Sequence, residues 1–315
     1  MPLLPDPSPT SFPTSTPDYR ELIPSTSSGT RPVLRKPKWF RSQIPGGRSY
    51  VKVSEQIQNQ SLHTVCESAS CPNLGECWER GTATFMILGD VCTRGCRFCD
   101  VPKGKPGFYD TQEPARVAQA AAAMKLKHIV LTSVNRDELP DQGSQVWAQT
   151  IRQVREACPT ATIETLIPDM QGNLDLLDVI LDARPDILNH NFETVERLQS
   201  PVRGRGNIRD SAQVLIHAKE RGFITKTSLM LGMGEEPNEI KALIDLCASI
   251  RIDILTLGQY LQPSRKHWPV EAYIHPDTFT GYKNYALEKG IRICEASPLQ
   301  RSSFKAEEAL KALQI

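Results

Sequence analysis

The sequence predicts an α/β fold, a partial (βα)6 TIM-like barrel built on a parallel sheet. Three observations carry this reading. Short apolar runs alternate with helical patterns from about residue 82 onward, as in repeated βα units. The chain has 315 residues, which fits one barrel or two ordinary domains. Hydrophobic residues make up 39% and charged residues 23%, values typical of a soluble globular protein.

Taken in order, residues 1–33 are rich in Pro, Ser and Thr and hold too few aliphatic side chains to offset the entropy of ordering, so a disordered tail is expected. A transit peptide is the alternative, but such peptides are Arg-rich and poor in acid, whereas this tail carries Asp6, Asp18 and Glu21 beside Arg20. Strands are expected within 82–89, 128–134, 160–167, 186–193, 223–231 and 252–260. Helices are expected over 114–126, where Pro114 suits a first turn, over 144–158, and over 210–222, where Gly222 suits a C-cap. Six units make a partial barrel, and the loops after its strands are where an active site belongs.

A net charge of +1 offers no field to attract nucleic acid. No run of about 18 apolar residues occurs, and the start lacks a secretory pattern, so no membrane span and a cytoplasmic location are expected. Nine cysteines, six of them between Cys66 and Cys99, read as reduced metal-binding thiolates rather than disulfides.

The strongest motif is Cys92, Cys96 and Cys99 in "DVCTRGCRFCDV", directly after the first strand window. Three thiolates leave one iron of a four-iron cluster open to a small molecule, whereas a closed structural site takes four ligands. A zinc knuckle with a distant fourth ligand is the alternative. The second run, Cys66, Cys71 and Cys77, also stops at three. Cys158, Cys247 and Cys294 fall at a helix end, in a helix and in a late strand-like run, where inert buried thiols are expected.

The C-x3-C-x2-C run resembles that of radical S-adenosylmethionine (SAM) enzymes. With the flanking "SLHTVCESASCPNLGECWERGTATFMILG" and with "LTSVNRDELPDQGS", "NHNFETVERL", "SLMLGMGEE", "TLGQYLQPSRKHWPV" and "SPLQRSSF", residues 33–306 resemble the lipoyl synthase family. The resemblance implies two 4Fe-4S clusters and SAM as cofactors. Cys92, Cys96 and Cys99 would hold the SAM-binding cluster; Cys66, Cys71, Cys77 and Ser303 of "RSSF" would hold an auxiliary cluster that donates sulfur. It further implies radical insertion of two sulfur atoms at C6 and C8 of an octanoyl group carried on a protein lysine. Partners implied are octanoylated lipoyl-carrier domains (2-oxoacid dehydrogenase E2 subunits, glycine cleavage H protein), a low-potential donor such as ferredoxin or flavodoxin, and a cluster-assembly carrier. The organisation that follows is a tail over 1–33, an N-terminal extension over 34–81, the barrel over 82–290 and a C-terminal segment over 291–315. The two extensions would carry the auxiliary cluster.

Residue physics alone reads "RSSF" as a helix start, with Ser303 capping the run from Lys305, and Phe304 stands where Tyr is commoner in the family. By the same resemblance Thr132, Ser133 and Asn135 face the methionine moiety of SAM, and Asn191 and Glu193 its ribose. Gly232 and Gly234 let the backbone approach the adenine. Their plain alternatives are turns and caps. His190 reads as structural, His267 is left without a role, and Arg265 and Lys266 read equally as docking or solvated residues. Arg203, Arg205 and Arg209 form a basic patch suited to an acidic carrier domain. Other sulfur-inserting radical enzymes, such as methylthiotransferases and biotin synthase, lack this pair of cysteine runs with "RSS". A non-catalytic iron–sulfur or zinc protein predicts two closed metal sites instead.

Overall fold

The computed structural model describes residues 34–40, 48–60, 62–68, 71, 73–79 and 84–304. The tail 1–33 and the helix expected from Lys305 lie outside the described residues. The chain divides into two units, Met1–Arg35 and Lys36–Ile315, and the whole sheet belongs to the second.

That sheet runs in chain order through β1 (His63–Thr64), β2 (Thr84–Ile87), β3 (His128–Ser133), β4 (Thr162–Leu166), β5 (Ile187–Asn189), β6 (Ile224–Leu231), β7 (Ile254–Gln259) and β8 (Ile293–Ser297). Strands β2 to β8 are parallel, in registers such as Phe85↔Leu131 and Leu257↔Ala296. The short β1 is antiparallel to β2 through Thr64↔Phe85. β1 and β8 are the two edges, so the barrel is open, as expected of a partial one. Each of the six strand windows holds a strand, and β8 adds a parallel one around Cys294.

Strands β2 and β7 are buried at every position and β3 at all but Ser133. That is the pattern of a parallel sheet covered on both faces, which is why these strands read as continuous apolar runs rather than alternating ones. The covering helices follow local rules. Glu113–Ala123 opens with Pro in its first turn. In Ile208–Glu220 the Asn207 side chain caps the N–H of Asp210 at 2.8 Å, and Gly222 follows the helix at φ +84°.

The barrel interior is not wholly apolar. Glu164 on β4, fully buried, accepts from Lys226 Nζ on β6 at 2.9 Å through both oxygens and from Asn189 Nδ2 on β5 at 2.8 Å. Burial alone would raise this carboxyl, but the Lys226 ammonium and the His128 ring hold it well below the usual carboxylate range. A carboxyl depressed in the folded state stabilises above its unfolded pKa of about 4.3, and the contribution is lost as pH falls further. Glu164→Gln leaves the Lys226 ammonium without a counter-charge and is expected to cost about 3–5 kcal/mol near neutrality. The variant should also lose part of the wild type's decline below about pH 4. Urea unfolding from pH 7 to pH 3 checks both.

Candidate active site

All parallel strands end at one rim, so the segments that follow them meet there. They enclose a cavity of about 350 Å3 lined by Cys66, Cys71 and Cys77, by Cys92, Cys96 and Cys99, and by Ser303. Thr132, Ser133, Asn135, Asn191 and Glu193 line the same cavity. The three remaining cysteines do not; Cys158, Cys247 and Cys294 are buried elsewhere in the fold.

The chain leaves β2 through Leu88 at φ +68° and Gly89 at φ +90°. The left-handed turn at Leu88 is over-determined: its N–H donates to Glu113 Oε2 at 2.6 Å and its carbonyl accepts from Arg136 Nη1 at 3.1 Å. Beyond it, the N–H groups of Arg94 and Asn135 each approach Cys92 Sγ to 3.4 Å. Arg94 is the main anchor of this loop. Its guanidinium binds Asp169 through both terminal nitrogens at 2.6 Å and Asp137 at 2.8 and 3.1 Å, tying the cysteine loop to the segments after β3 and β4.

Two further segments hold the other side of the loop. Arg97 N–H donates to Val202 O at 2.7 Å, and Trp268 N–H donates to Arg97 O at 2.8 Å while its ring lies 4.7 Å from the Arg97 guanidinium. His267 Nε2 donates to Cys99 O at 3.1 Å, since a carbonyl can only accept, and Nδ1 lies 2.9 Å from Ser264 Oγ. His267, which the sequence left without a role, therefore supports the loop of Cys99. Arg265 and Lys266 are exposed.

In the first run, Cys71 N–H donates to Cys66 O at 3.0 Å and Cys77 N–H to Asn73 O at 2.9 Å. The buried Trp78 Nε1 has no well-formed hydrogen bond among the described residues and stands beside the Cys66 thiol. The C-terminal segment closes over this run. Asn73 Nδ2 donates to Leu299 O at 2.7 Å, and Arg301 lies within electrostatic reach of Cys71. A Cβ added to Gly258 of β7 would sit 2.0 Å from Gln300 O, so only glycine lets this segment lie directly on the strand.

Ser133 Oγ is buried without a partner among the described residues, whereas the Thr132 hydroxyl already donates to Leu166 O at 3.0 Å. Asn191 Nδ2 donates to Glu193 Oε1 at 3.1 Å. Glu193 takes φ +66°, pinned to β6 by its N–H on Ser228 O and by Met230 N–H on its carbonyl. Burial raises the Glu193 carboxyl, with Arg203 opposing.

Gly232 and Gly234 do not line the cavity. Gly232 has its own reason to be glycine: at φ +100° an added Cβ would come within 2.1 Å of Gln259 Nε2 and 2.4 Å of Ala272 O. His190 lines the wall, but Nδ1 donates to Ile167 O at 2.8 Å and Nε2 accepts from Ser211 Oγ at 2.9 Å. Burial, aided by Arg203, holds its pKa down to about 4, so it is neutral near pH 7. The three arginines do not form one surface patch. Arg203 is buried, bonded to Phe192 O, Gln199 Oε1 and Ser211 Oγ at 3.1–3.3 Å, and only Arg205 and Arg209 are exposed.

Burial pushes the thiols of Cys66 and Cys96 up to about 11 and that of Cys99 to about 12. Such groups keep their protons at neutral pH and are not free nucleophiles. Among the described residues no three His, Cys, Asp or Glu side chains are gathered as for a single metal ion. The donor set present is six soft thiols in two triads, with N–H groups aimed at Cys92 sulfur and Trp78 Nε1 beside Cys66, and it fits iron–sulfur clusters. The unpartnered Ser133 hydroxyl fits a polar ligand between them.

The radical SAM superfamily matches residues 86–247, and the N-terminal domain of lipoyl synthase matches residues 11–71. Lipoyl synthase from Bacteroides thetaiotaomicron is 46% identical over 278 residues, 88% of this chain and 99% of its own. That from Chloroflexus aggregans is 45% identical over 92% of this chain and 95% of its own. The chain belongs to the lipoyl synthase family. As a member it is a radical SAM sulfurtransferase that uses two 4Fe-4S clusters and SAM, and it acts on octanoylated lipoyl-carrier domains. Distant solved structures share the fold. Streptococcus suis SuiB bound to SAM aligns at a TM-score of 0.56 and 10% identity over 71% of this chain and 53% of that one. Methylornithine synthase aligns at 0.52 and 11% over 81% and 85%. No helix among the described residues is long and apolar enough to cross a membrane.

Proposed function

We propose that Cys92, Cys96 and Cys99 hold the SAM-binding cluster and that Cys66, Cys71, Cys77 and Ser303 hold the sulfur-donating one, in a barrel over 82–290 flanked by extensions 34–81 and 291–315. One observation carries this: both triads and Ser303 open into a single cavity at the strand ends. The bound groups supply radical and sulfur-transfer chemistry that side-chain acids and bases cannot. The chain supplies position and shelter. Ser133 Oγ is free to bond the methionine end of SAM, with Thr132 and Asn135 beside it, and Asn191 and Glu193 are placed to meet the ribose. Met86, Val134, Leu166, Leu229 and Leu261 give the cavity apolar walls that suit an octanoyl chain and exclude water. On the same reading Gly232 and Gly234, which stand at positive φ outside the cavity lining, are the points where the backbone comes close to the adenine.

In the same reading the octanoyl chain arrives on E2 subunits or the glycine cleavage H protein, a ferredoxin or flavodoxin supplies electrons, and a cluster-assembly carrier rebuilds the spent site, in the cytoplasm. Iron analysis of anaerobically reconstituted protein tests the ligand sets. Wild type should carry two clusters' worth of iron, and a Cys→Ala variant in either triad about half. Equal iron in wild type and both variants contradicts the assignment. His267→Ala removes the support of Cys99 and is expected to weaken cluster retention by about tenfold, read as faster iron release to a chelator.

A further inference from the structure

Ser302, beside the proposed ligand, is buried and makes two side-chain contacts to barrel residues. Asn189 Nδ2 lies 2.6 Å from Ser302 Oγ and 2.8 Å from Glu164 Oε1. The direction of these bonds is forced. Lys226 holds Glu164 ionised, and a carboxylate only accepts, so the nitrogen of Asn189 must face it and spend one N–H there. Its second N–H goes to Ser302 Oγ, whose own proton is left for Asn191 Oδ1 at 3.3 Å. The Lys226–Glu164 pair thus orients a fully buried amide toward the C-terminal segment.

We propose that Ser302 is a positioning residue, a latch that Asn189 holds so that Ser303 stays at the first cysteine run. The proposal rests on the reading of Ser303 as a cluster ligand. Lifting the segment takes the acceptor away from an N–H of Asn189, which is fully buried while the segment is in place. Loss of that bond opposes opening by about tenfold. Asn73 on Leu299 O and the glycine at 258 seat the start of the segment, and Phe304 N–H on Arg301 O at 3.0 Å closes the turn that carries Ser302 and Ser303, while the Asn189 bond ties that turn to the barrel itself. A hard oxygen ligand is released more easily than a thiolate, and the latch would set how easily.

The test measures hydrogen exchange of amides 299–304 and iron release to a chelator in the holoenzyme, for Ser302→Ala, Asn189→Ala and the double variant. Each single variant should speed both by about tenfold, and the double should add little, because both remove the Asn189–Ser302 bond. Ser302→Ala removes one hydroxyl and no barrel side chain, so the test stands even where Asn189→Ala folds poorly. Wild-type exchange and iron release in Ser302→Ala, or effects that simply multiply in the double variant, overturn the latch. Ser303→Ala separates the two readings. If it leaves iron release unchanged, the ligand assignment fails; if it speeds release while Ser302→Ala does not, only the latch fails.

Discussion

Arg94→Ala is expected to lower stability by about 3–5 kcal/mol, among the largest costs available to a single polar side chain in this fold. Arg94, Asp137 and Asp169 are each less than a tenth exposed, and the guanidinium makes four hydrogen bonds to the two carboxylates. Burial alone would raise Asp169, but the bond and charge of Arg94 hold it well below the ordinary range, so it is ionised at neutral pH. Truncation leaves both anions buried. Arg205, 4.0 Å from Asp137 and mostly exposed, does not reach Asp169 to replace it. Arg94→Lys should recover only part of the loss, because a single ammonium cannot serve two carboxylates in the fork geometry of a guanidinium. Denaturant unfolding of the variants checks this, and a loss under about 1 kcal/mol would show that water satisfies the carboxylates. The same substitution should loosen the loop that carries Cys92 and Cys96, since Arg94 lies between them.

The largest effect on chemistry away from the cysteines is expected at Gly258. A methyl group there meets the backbone oxygen of Gln300 at 2.0 Å, and a main-chain atom has no flexible end to move aside. Gly258→Ala should therefore push residues 300–304 off β7 and carry Ser303 away from Cys66, Cys71 and Cys77. Sulfur insertion should fall by about a hundredfold, the upper range for loss of groups that hold a metal site. SAM cleavage should change far less, because the loop of Cys92, Cys96 and Cys99 is held by Asp137, Asp169, Val202 and Trp268, none of which belongs to residues 300–304. Parallel quantification of 5′-deoxyadenosine and thiolated peptide separates the two. Equal loss of both products would place the effect on the fold as a whole.

The barrel was legible because its strands are apolar on both faces and its helices carry ordinary start and stop signals, as at Pro114 and Gly222. The cysteine runs were legible because their spacing is local. What the sequence hid depends on contacts between distant segments. Arg94 reads as a charged residue in a loop until Asp137 and Asp169 come from two other strand ends to meet it. His267 acts on Cys99 from 168 positions away. Arg203 looked like surface charge, and only the packing around it shows that it is buried with its Nη1 shared among Phe192 O, Gln199 Oε1 and Ser211 Oγ. Gly258 sits inside an apolar strand run, where a lone glycine signals close backbone approach without naming the segment that approaches. The two-residue β1 lacks any periodicity by which it could be found.

The most direct test of the central claim is anaerobic product analysis by mass spectrometry, with reconstituted protein, reductant, SAM and an octanoyl-lysyl peptide. Wild type, Ser303→Ala and Cys71→Ala are compared. Two sulfur atoms gained by the peptide with wild type, and 5′-deoxyadenosine without sulfur gain with both variants, is the predicted result. Full sulfur insertion by either variant would contradict the assignment of the donor site to Cys66, Cys71, Cys77 and Ser303.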